Sequence, residues 1–267
     1  MKKVLVTGGN KGIGFALCKQ LTAENGCHVY LGSRNQERGE AAVKQIMDEN
    51  SDAKVELVLI DVASDESVTA AAQTLGELLG EEKLYGLVNN AGIGLAHGGV
   101  TPDDILNVNV DGPKRMTEAF LPFLDPESGR IVNVGSGAGP SYIKGSMGST
   151  PMGKAAAEHK APLIHPDVTW EQIQGVIAAE KAAAEGDTMD GFSAYGLSKA
   201  ALMAYTMLVA KGNPSIKVNC CTPGFIDTDL TKGFGAKLAP EQGTVSIRYL
   251  LFEADCTGLF YGSDAKR

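Results

Sequence analysis

The chain has 267 residues, 43% of them hydrophobic, which is enough for one large core without a second domain. Its net charge of −8 would repel a phosphate backbone or an anionic membrane, so no nucleic-acid partner and no membrane surface is expected. No apolar run approaches the roughly 18 residues of a membrane span. The first strand begins almost at Met1, which leaves no room for a signal peptide, and a soluble cytoplasmic protein is expected.

Strand-like and helix-like segments alternate along the chain, the pattern of a doubly wound α/β (Rossmann) sheet, parallel throughout, with helices on both faces. Seven strands are expected: Lys3 to Thr7, His28 to Gly32, Val55 to Asp61, Tyr85 to Asn89, Arg130 to Val134, Lys217 to Cys221 and Gly258 to Tyr261. They fit one sheet and a single domain over residues 1–267. A helix is expected over Ser64 to Leu79, with Ser64 as its N-cap and Asp65 and Glu66 in its first turn.

Between the first strand and the first helix lies Thr7-Gly8-Gly9-Asn10-Lys11-Gly12-Ile13-Gly14. Such a turn leaves backbone N–H groups free at a helix N-terminus, and its glycines let the backbone approach a pyrophosphate. Asn10, Lys11 and Ile13 lie in the same loop as Gly8, Gly12 and Gly14, and all six are candidate cofactor contacts. An NAD site usually places an acidic residue about 20 residues beyond this loop. Here no acidic residue occurs between Val29 and Gln36. Arg34 and Arg38 stand there instead, with Lys11 a third nearby cation, so a 2′-phosphate and hence NADPH/NADP+ is expected. Asp61, with Val62 beside it, could meet the adenine amino group or simply cap the next helix.

Far downstream, Tyr195-Gly196-Leu197-Ser198-Lys199 places a tyrosine and a lysine four apart on one helix face. A phenol with an ordinary pKa of about 10 needs a nearby positive charge to exchange protons near neutrality, and Lys199 is expected to supply it. Tyr195 would then act as general acid toward a carbonyl oxygen, with Ser136 hydrogen-bonding the same oxygen.

These motifs occur in the order found in short-chain dehydrogenases/reductases: the glycine loop, Asn89-Asn90-Ala91-Gly92, Asn109-Val110-Asp111-Gly112, Ser136, Tyr195 with Lys199, and Pro223-Gly224. The chain resembles that family over nearly its whole length. The resemblance implies that Asn89, Ala91 and Gly92 stabilise the sheet and line the cofactor, and that Asn109 anchors a water linked to Lys199. It also implies that Pro223, Gly224, Ile226 and Thr228 border the cofactor, Thr228 at the nicotinamide carboxamide.

Residues 137–194 form an insertion before Tyr195, with a helix expected from an N-cap at Thr169 through Trp170, Ile173 and Ile177 to a stop near Gly186. It resembles the monomeric carbonyl reductase branch, in which the insertion covers the oligomerisation face, so a monomer is expected. The insertion and the segment from Phe225 to Leu230 should wall the substrate pocket. Ile143, Met147, Trp170 and Phe225 are apolar pocket candidates, and Gly233, Gly235 and Gly243 are hinges for a lid. Cys18, Cys27, Cys220, Cys221 and Cys256 read as buried small apolar residues in a reducing compartment. His97, His159 and His165 show no metal grouping, and no metal site is expected.

The expected activity is NADPH-dependent reduction of a ketone, aldehyde or quinone. Oxidation of a secondary alcohol of a terpenoid or sterol with NADP+, and a dinucleotide-binding protein without catalysis, are the alternatives.

Overall fold

A computed structural model describes residues 1–94, 99–146, 159–184 and 189–267. Seven parallel strands form one sheet: β1 (Lys3–Val6), β2 (His28–Ser33), β3 (Lys54–Leu59), β4 (Gly86–Asn89), β5 (Arg130–Val134), β6 (Lys217–Cys221) and β7 (Phe260–Tyr261). The spatial order is β3-β2-β1-β4-β5-β6-β7. The chain therefore winds outward in one direction to β3, returns to the centre at β4 and winds out the other way. That reversal opens a crevice at the C-terminal ends of β1 and β4, where ligands bind in sheets of this kind.

The central strands β1 and β4 are buried throughout because both faces are covered. On one side α3 (Asp65–Leu79) and α5 (Gly112–Phe120) meet the sheet, with Leu75, Leu87, Phe120 and Ile131 in a shared core. On the other side α1 (Gly12–Ala23) and α2 (Gln36–Glu49) cover it, with Leu17, Leu21, Leu31 and Ile46 buried. The long α8 (Gly191–Gly212) lies on the first side and presents a nearly continuous buried face from Ser193 to Ala210.

Helix starts follow the local sequence. Ser64 Oγ accepts from Ser67 N at 3.2 Å, as its position ahead of two acidic residues predicts. Asn35 Oδ1 accepts from Arg38 N at the start of α2, and Asp190 Oδ1 accepts from Phe192 N and Ser193 N at the start of α8. The helix in the 137–194 stretch is α7 (Trp170–Ala183), and Thr169 and Gln172 cap its start reciprocally. Its expected stop at Gly186 lies outside the described residues.

Strand ends differ from expectation where turn chemistry competes. Asp61 leaves β3 because its N–H is taken by Ser67 Oγ at 2.8 Å and its own carboxylate accepts from Ala63 N at 3.0 Å. The last strand loses Gly258, whose φ of +76° belongs to the left-handed region rather than to a strand.

All five cysteines are free. Cys18, Cys27, Cys220 and Cys221 are buried as expected. Cys256 is not: it is half-exposed after α9 (Val245–Phe252), and Arg267 donates to its sulfur.

Candidate active site

The glycine loop joins β1 to α1 at the crevice. Gly8 and Gly12 sit at φ +65° and +55°, a conformation that side chains with a Cβ rarely adopt. A Cβ on Gly14 would lie 2.3 Å from Gly8 O, so the loop closes on itself too tightly for any other residue. Lys11 occupies the N-cap of α1 without a side-chain hydrogen bond to the helix, so its first N–H groups have no side-chain cap.

The loop is tied to the end of β4 by a residue that the sequence reading passed over. Asn90 Nδ2 donates to Thr7 O at 2.8 Å, while Thr7 Oγ1 accepts from the backbone N–H groups of Asn90 and Ala91, both at 3.0 Å. Asn90, Ala91 and Gly92 line the crevice. Asn89 does not, contrary to its expected cofactor contact. Alternation along β4 turns its side chain into the fold, where Nδ2 donates to Asn133 Oδ1 at 2.8 Å and Asn133 in turn donates to Thr206. The adjacent asparagines thus divide the work: Asn89 knits β4 to β5, and Asn90 holds the loop.

The crevice encloses about 930 Å³. Gly8, Asn10, Lys11, Gly12, Ile13 and Gly14 form one wall, with Arg34 just after β2, Arg38 in the first turn of α2, and Asp61 and Val62 just after β3. Pro223, Gly224, Ile226 and Thr228, after β6, close the opposite side. Lys11 Nζ reaches across to Asp229 Oδ2 at 2.6 Å, so this cation carries an acidic partner that its place in the loop did not reveal.

Ser136, Tyr195 and Lys199 line the same crevice. Ser136 follows β5 directly and its Oγ accepts from Ala138 N at 3.1 Å, at the start of α6 (Ala138–Ile143). The Ser136 side chain neighbours the Tyr195 phenol. Burial raises the Tyr195 pKa above its ordinary value, and the neighbouring Ser136 hydroxyl opposes this. Lys199 was expected to act in the lowering sense, but its Nζ donates to Val134 O at 3.0 Å and lies 5.7 Å from the Tyr195 ring centre. Burial lowers the Lys199 ammonium to about 8, with Cys220 and Cys221 pulling weakly the other way.

Asn109 stands behind this group in a π-helical turn, Asn107–Asp111, that interrupts the helix between α4 (Pro102–Leu106) and α5. Its side chain does not line the crevice. Nδ2 donates to Ile93 O at 2.9 Å and to Ser198 Oγ at 3.1 Å, and Oδ1 accepts from Ile93 N at 2.9 Å. This amide fixes the Gly92–Ile93 backbone, and a Cβ on Gly92 would sit 3.3 Å from Asn109 Oδ1 and 3.7 Å from Lys199 Nζ.

At the Tyr195 end the crevice wall is aromatic. Phe192, Phe225 and Phe234 line it with 49%, 51% and 47% exposure, and Phe192 meets Phe234 edge to face at 6.1 Å. Phe225 was expected here; Phe192 and Phe234 were missed because a phenylalanine one residue into a helix or between two glycines has no periodicity. Ile143 and Trp170 do not line the crevice. Both pack against the core, Trp170 edge-on to Tyr205 at 5.7 Å, and Met147 lies outside the described residues.

Gly233 and Gly235 flank Phe234 at φ +87° and +82° with open space where a Cβ would be. Gly243 is no hinge. It is buried in a 3₁₀ turn, and a Cβ there would meet Ile13 and Ile226 at 3.0 Å. His159 and His165 are exposed and His97 is outside the described residues; no cluster of metal-ligating side chains occurs among the described residues.

A doubly wound sheet whose topological switch carries a glycine loop, facing a serine, a tyrosine and a lysine, defines a Rossmann-type oxidoreductase. Residues 2–159 and 161–239 match the model of the short chain dehydrogenase family, and the chain belongs to that family. It is 36% identical to (+)-neomenthol dehydrogenase of Arabidopsis thaliana, over 92% of this chain and 90% of that protein. It is 29% identical to bovine (Bos taurus) carbonyl reductase [NADPH] 1, over 95% of this chain and 92% of the relative. Among solved structures, salutaridine reductase from Papaver somniferum superposes with a TM-score of 0.82 at 29% identity, covering 98% of this chain and 99% of that one.

Proposed function

We propose that the protein is an NADPH-dependent carbonyl reductase, in which Tyr195 protonates the oxygen of a ketone, aldehyde or quinone. The observation that carries this reading is the convergence of Ser136, Tyr195 and Lys199 in the crevice that also holds the glycine loop, Arg34 and Arg38. The loop fits a pyrophosphate because Gly14 has no room for a Cβ and the first N–H groups of α1 lack a side-chain cap. Arg34 and Arg38 suit a 2′-phosphate. When bound, NADPH supplies the hydride.

The protein's own residues manage the proton. Burial keeps the Tyr195 phenol protonated through the neutral range, the form a general acid needs for reduction. Ser136, beside it in the crevice, is placed to donate to the same oxygen as charge develops there. Lys199, still mainly protonated at neutral pH, supplies positive charge at the base of the site. Asn109 holds the Ile93 backbone against this group. The aromatic wall of Phe192, Phe225 and Phe234 favours a substrate with an apolar body.

The same reading takes residues 1–267 as one domain built on one sheet and α7 as the cover of a face that would otherwise pair, leaving a monomer. Ile173, Val176 and Ile177 bury the inner side of α7 against the core next to α8. Four buried thiols without disulfides suit a reducing cytoplasm. No helix among the described residues is long and apolar enough to cross a membrane.

Turnover tests the proposal. Tyr195→Phe removes the proton and keeps the ring, so NADPH oxidation with a ketone panel should vanish while NADPH affinity stays within a few-fold. Undiminished turnover would remove Tyr195 as the acid.

A further inference from the structure

Outside the crevice, the described residues contain a deeply buried cluster of ionisable side chains that the proposed chemistry does not use. Lys160 is 1% exposed, and its Nζ lies 3.2 Å from Glu180 Oε2 and 3.5 Å from the centre of the Tyr142 ring. The Tyr142 hydroxyl donates to the same Glu180 carboxylate. Two buried charges are costly unless they satisfy each other, so the cluster has a defined arrangement.

Its position gives it a consequence for the site. Tyr142 belongs to α6, the helix that begins two residues after Ser136, and α6 meets α8 through a pair of glycines, one from each helix. A Cβ on Gly139 would stand 3.0 Å from the Lys199 carbonyl carbon and oxygen, and a Cβ on Gly196 would stand 2.8 Å from Tyr142 Cδ2 and 3.0 Å from its Cβ. The backbone of α6 thus rests on Lys199, and the Tyr142 ring rests on the residue after Tyr195. The spacing between Ser136 and Tyr195 depends on how closely these helices approach. Glu180, on α7, and Lys160, in the turn before the Ala161–Ile164 3₁₀ helix, hold Tyr142 from behind.

We propose that Tyr142 is a positioning residue for the Ser136–Tyr195 pair, seated on Gly196 and fixed there by Glu180 and Lys160. The inference rests on the reading of Tyr195 as the general acid. It also assigns the 137–194 stretch a part in the reaction besides covering a surface, because Lys160 and Glu180 belong to it.

The experiment compares kcat, KM and NADPH affinity in the unaltered protein, Gly196→Ala, Gly196→Ala with Tyr142→Leu, and Tyr142→Phe, with Tyr195→Phe as reference. Displacement of a reacting group by about an ångström costs up to about 100-fold in rate. Gly196→Ala, whose methyl displaces the ring, should lower kcat at least about tenfold, with NADPH affinity within about twofold. Adding Tyr142→Leu clears the ring from the methyl but also removes the seated ring, so kcat should rise only to about the level of Tyr142→Phe, a partial relief that a merely destabilising substitution would not show. Tyr142→Phe leaves the ring on Gly196, introduces no clash and loses only the bond to Glu180; it should lower kcat about three- to tenfold at unchanged NADPH affinity. It therefore decides the matter if Gly196→Ala fails to fold. Unchanged kcat in Gly196→Ala or Tyr142→Phe, or a loss that Tyr142→Leu does not relieve, overturns the positioning role while Tyr195-dependent turnover leaves the reductase reading intact. Absence of Tyr195-dependent turnover in the unaltered protein overturns both.

Discussion

Tyr195 and Lys199 are four residues apart, yet their environments push them in different directions. Burial stabilises the neutral form of each, which keeps the phenol protonated and weakens the ammonium. The sequence shows the spacing but says nothing of burial, so the expected dominance of Lys199 over the phenol could be weighed only with Val134 O and the sheet in place. Arg34 and Arg38 are simpler, since charge identity alone suits a 2′-phosphate. Replacing both with alanine should weaken NADPH binding more than about tenfold and leave NADH nearly unaffected, as charge-assisted bonds to phosphate are lost with one cofactor only. Titration of protein fluorescence with each cofactor measures this, and equal losses would remove the 2′-phosphate assignment.

At the scale of elements, the crevice is made by starts and stops of secondary structure. β1 ends in a loop whose return requires Gly14 to lie against Gly8 O, and β4 is followed by Asn90, which ties that loop from below. Gly14→Ala should therefore reduce NADPH affinity at least about tenfold and lower stability by about 1–3 kcal/mol, as expected when a small-to-large change overfills a packed site. Calorimetric binding and thermal unfolding report the two effects, and retention of both would show that the loop relaxes freely. The glycine loop, the capped starts of α3 and α7, and the approximate strands were legible in the sequence because each rests on local chemistry. The split roles of Asn89 and Asn90, the packed state of Gly243 and the Lys11–Asp229 pair were not, because each depends on a partner distant in the chain.

For the whole molecule, Lys199 links the site to stability. Its pKa falls from 10.5 to about 8, which corresponds to a cost of about 3 kcal/mol for the buried charge below pH 8. Between about pH 8 and 10.5 the unfolded chain binds more protons at this residue than the native one, so its contribution to stability rises with pH there. Lys199→Met should raise stability at pH 7 while abolishing turnover, and its stability advantage over the unaltered protein should shrink between pH 8 and 9. Urea unfolding at each pH reads this, and an advantage that grows with pH would reverse the sign. α7 is argued at the same scale: replacing residues 167–186 by a short linker uncovers apolar surface on the α8 side and should promote association, seen as a rise in mass by light scattering. A clean monomer would contradict the covering role.

What the amino-acid sequence determined by itself is the set of local decisions: parallel β/α alternation, a glycine turn that only glycines can make, helix caps, and a tyrosine and lysine on one helical face. These follow from backbone sterics and side-chain period over a few residues. Only the tertiary structure decided that Asn109 spends its amide on Ile93, that Ile143 and Trp170 face the core instead of the crevice, that Phe192 and Phe234 meet across its mouth, and that Tyr142 leans on Gly196. Burial, close approach and long-range pairing arise when distant segments exclude water together, and a linear pattern carries no record of which segments will meet.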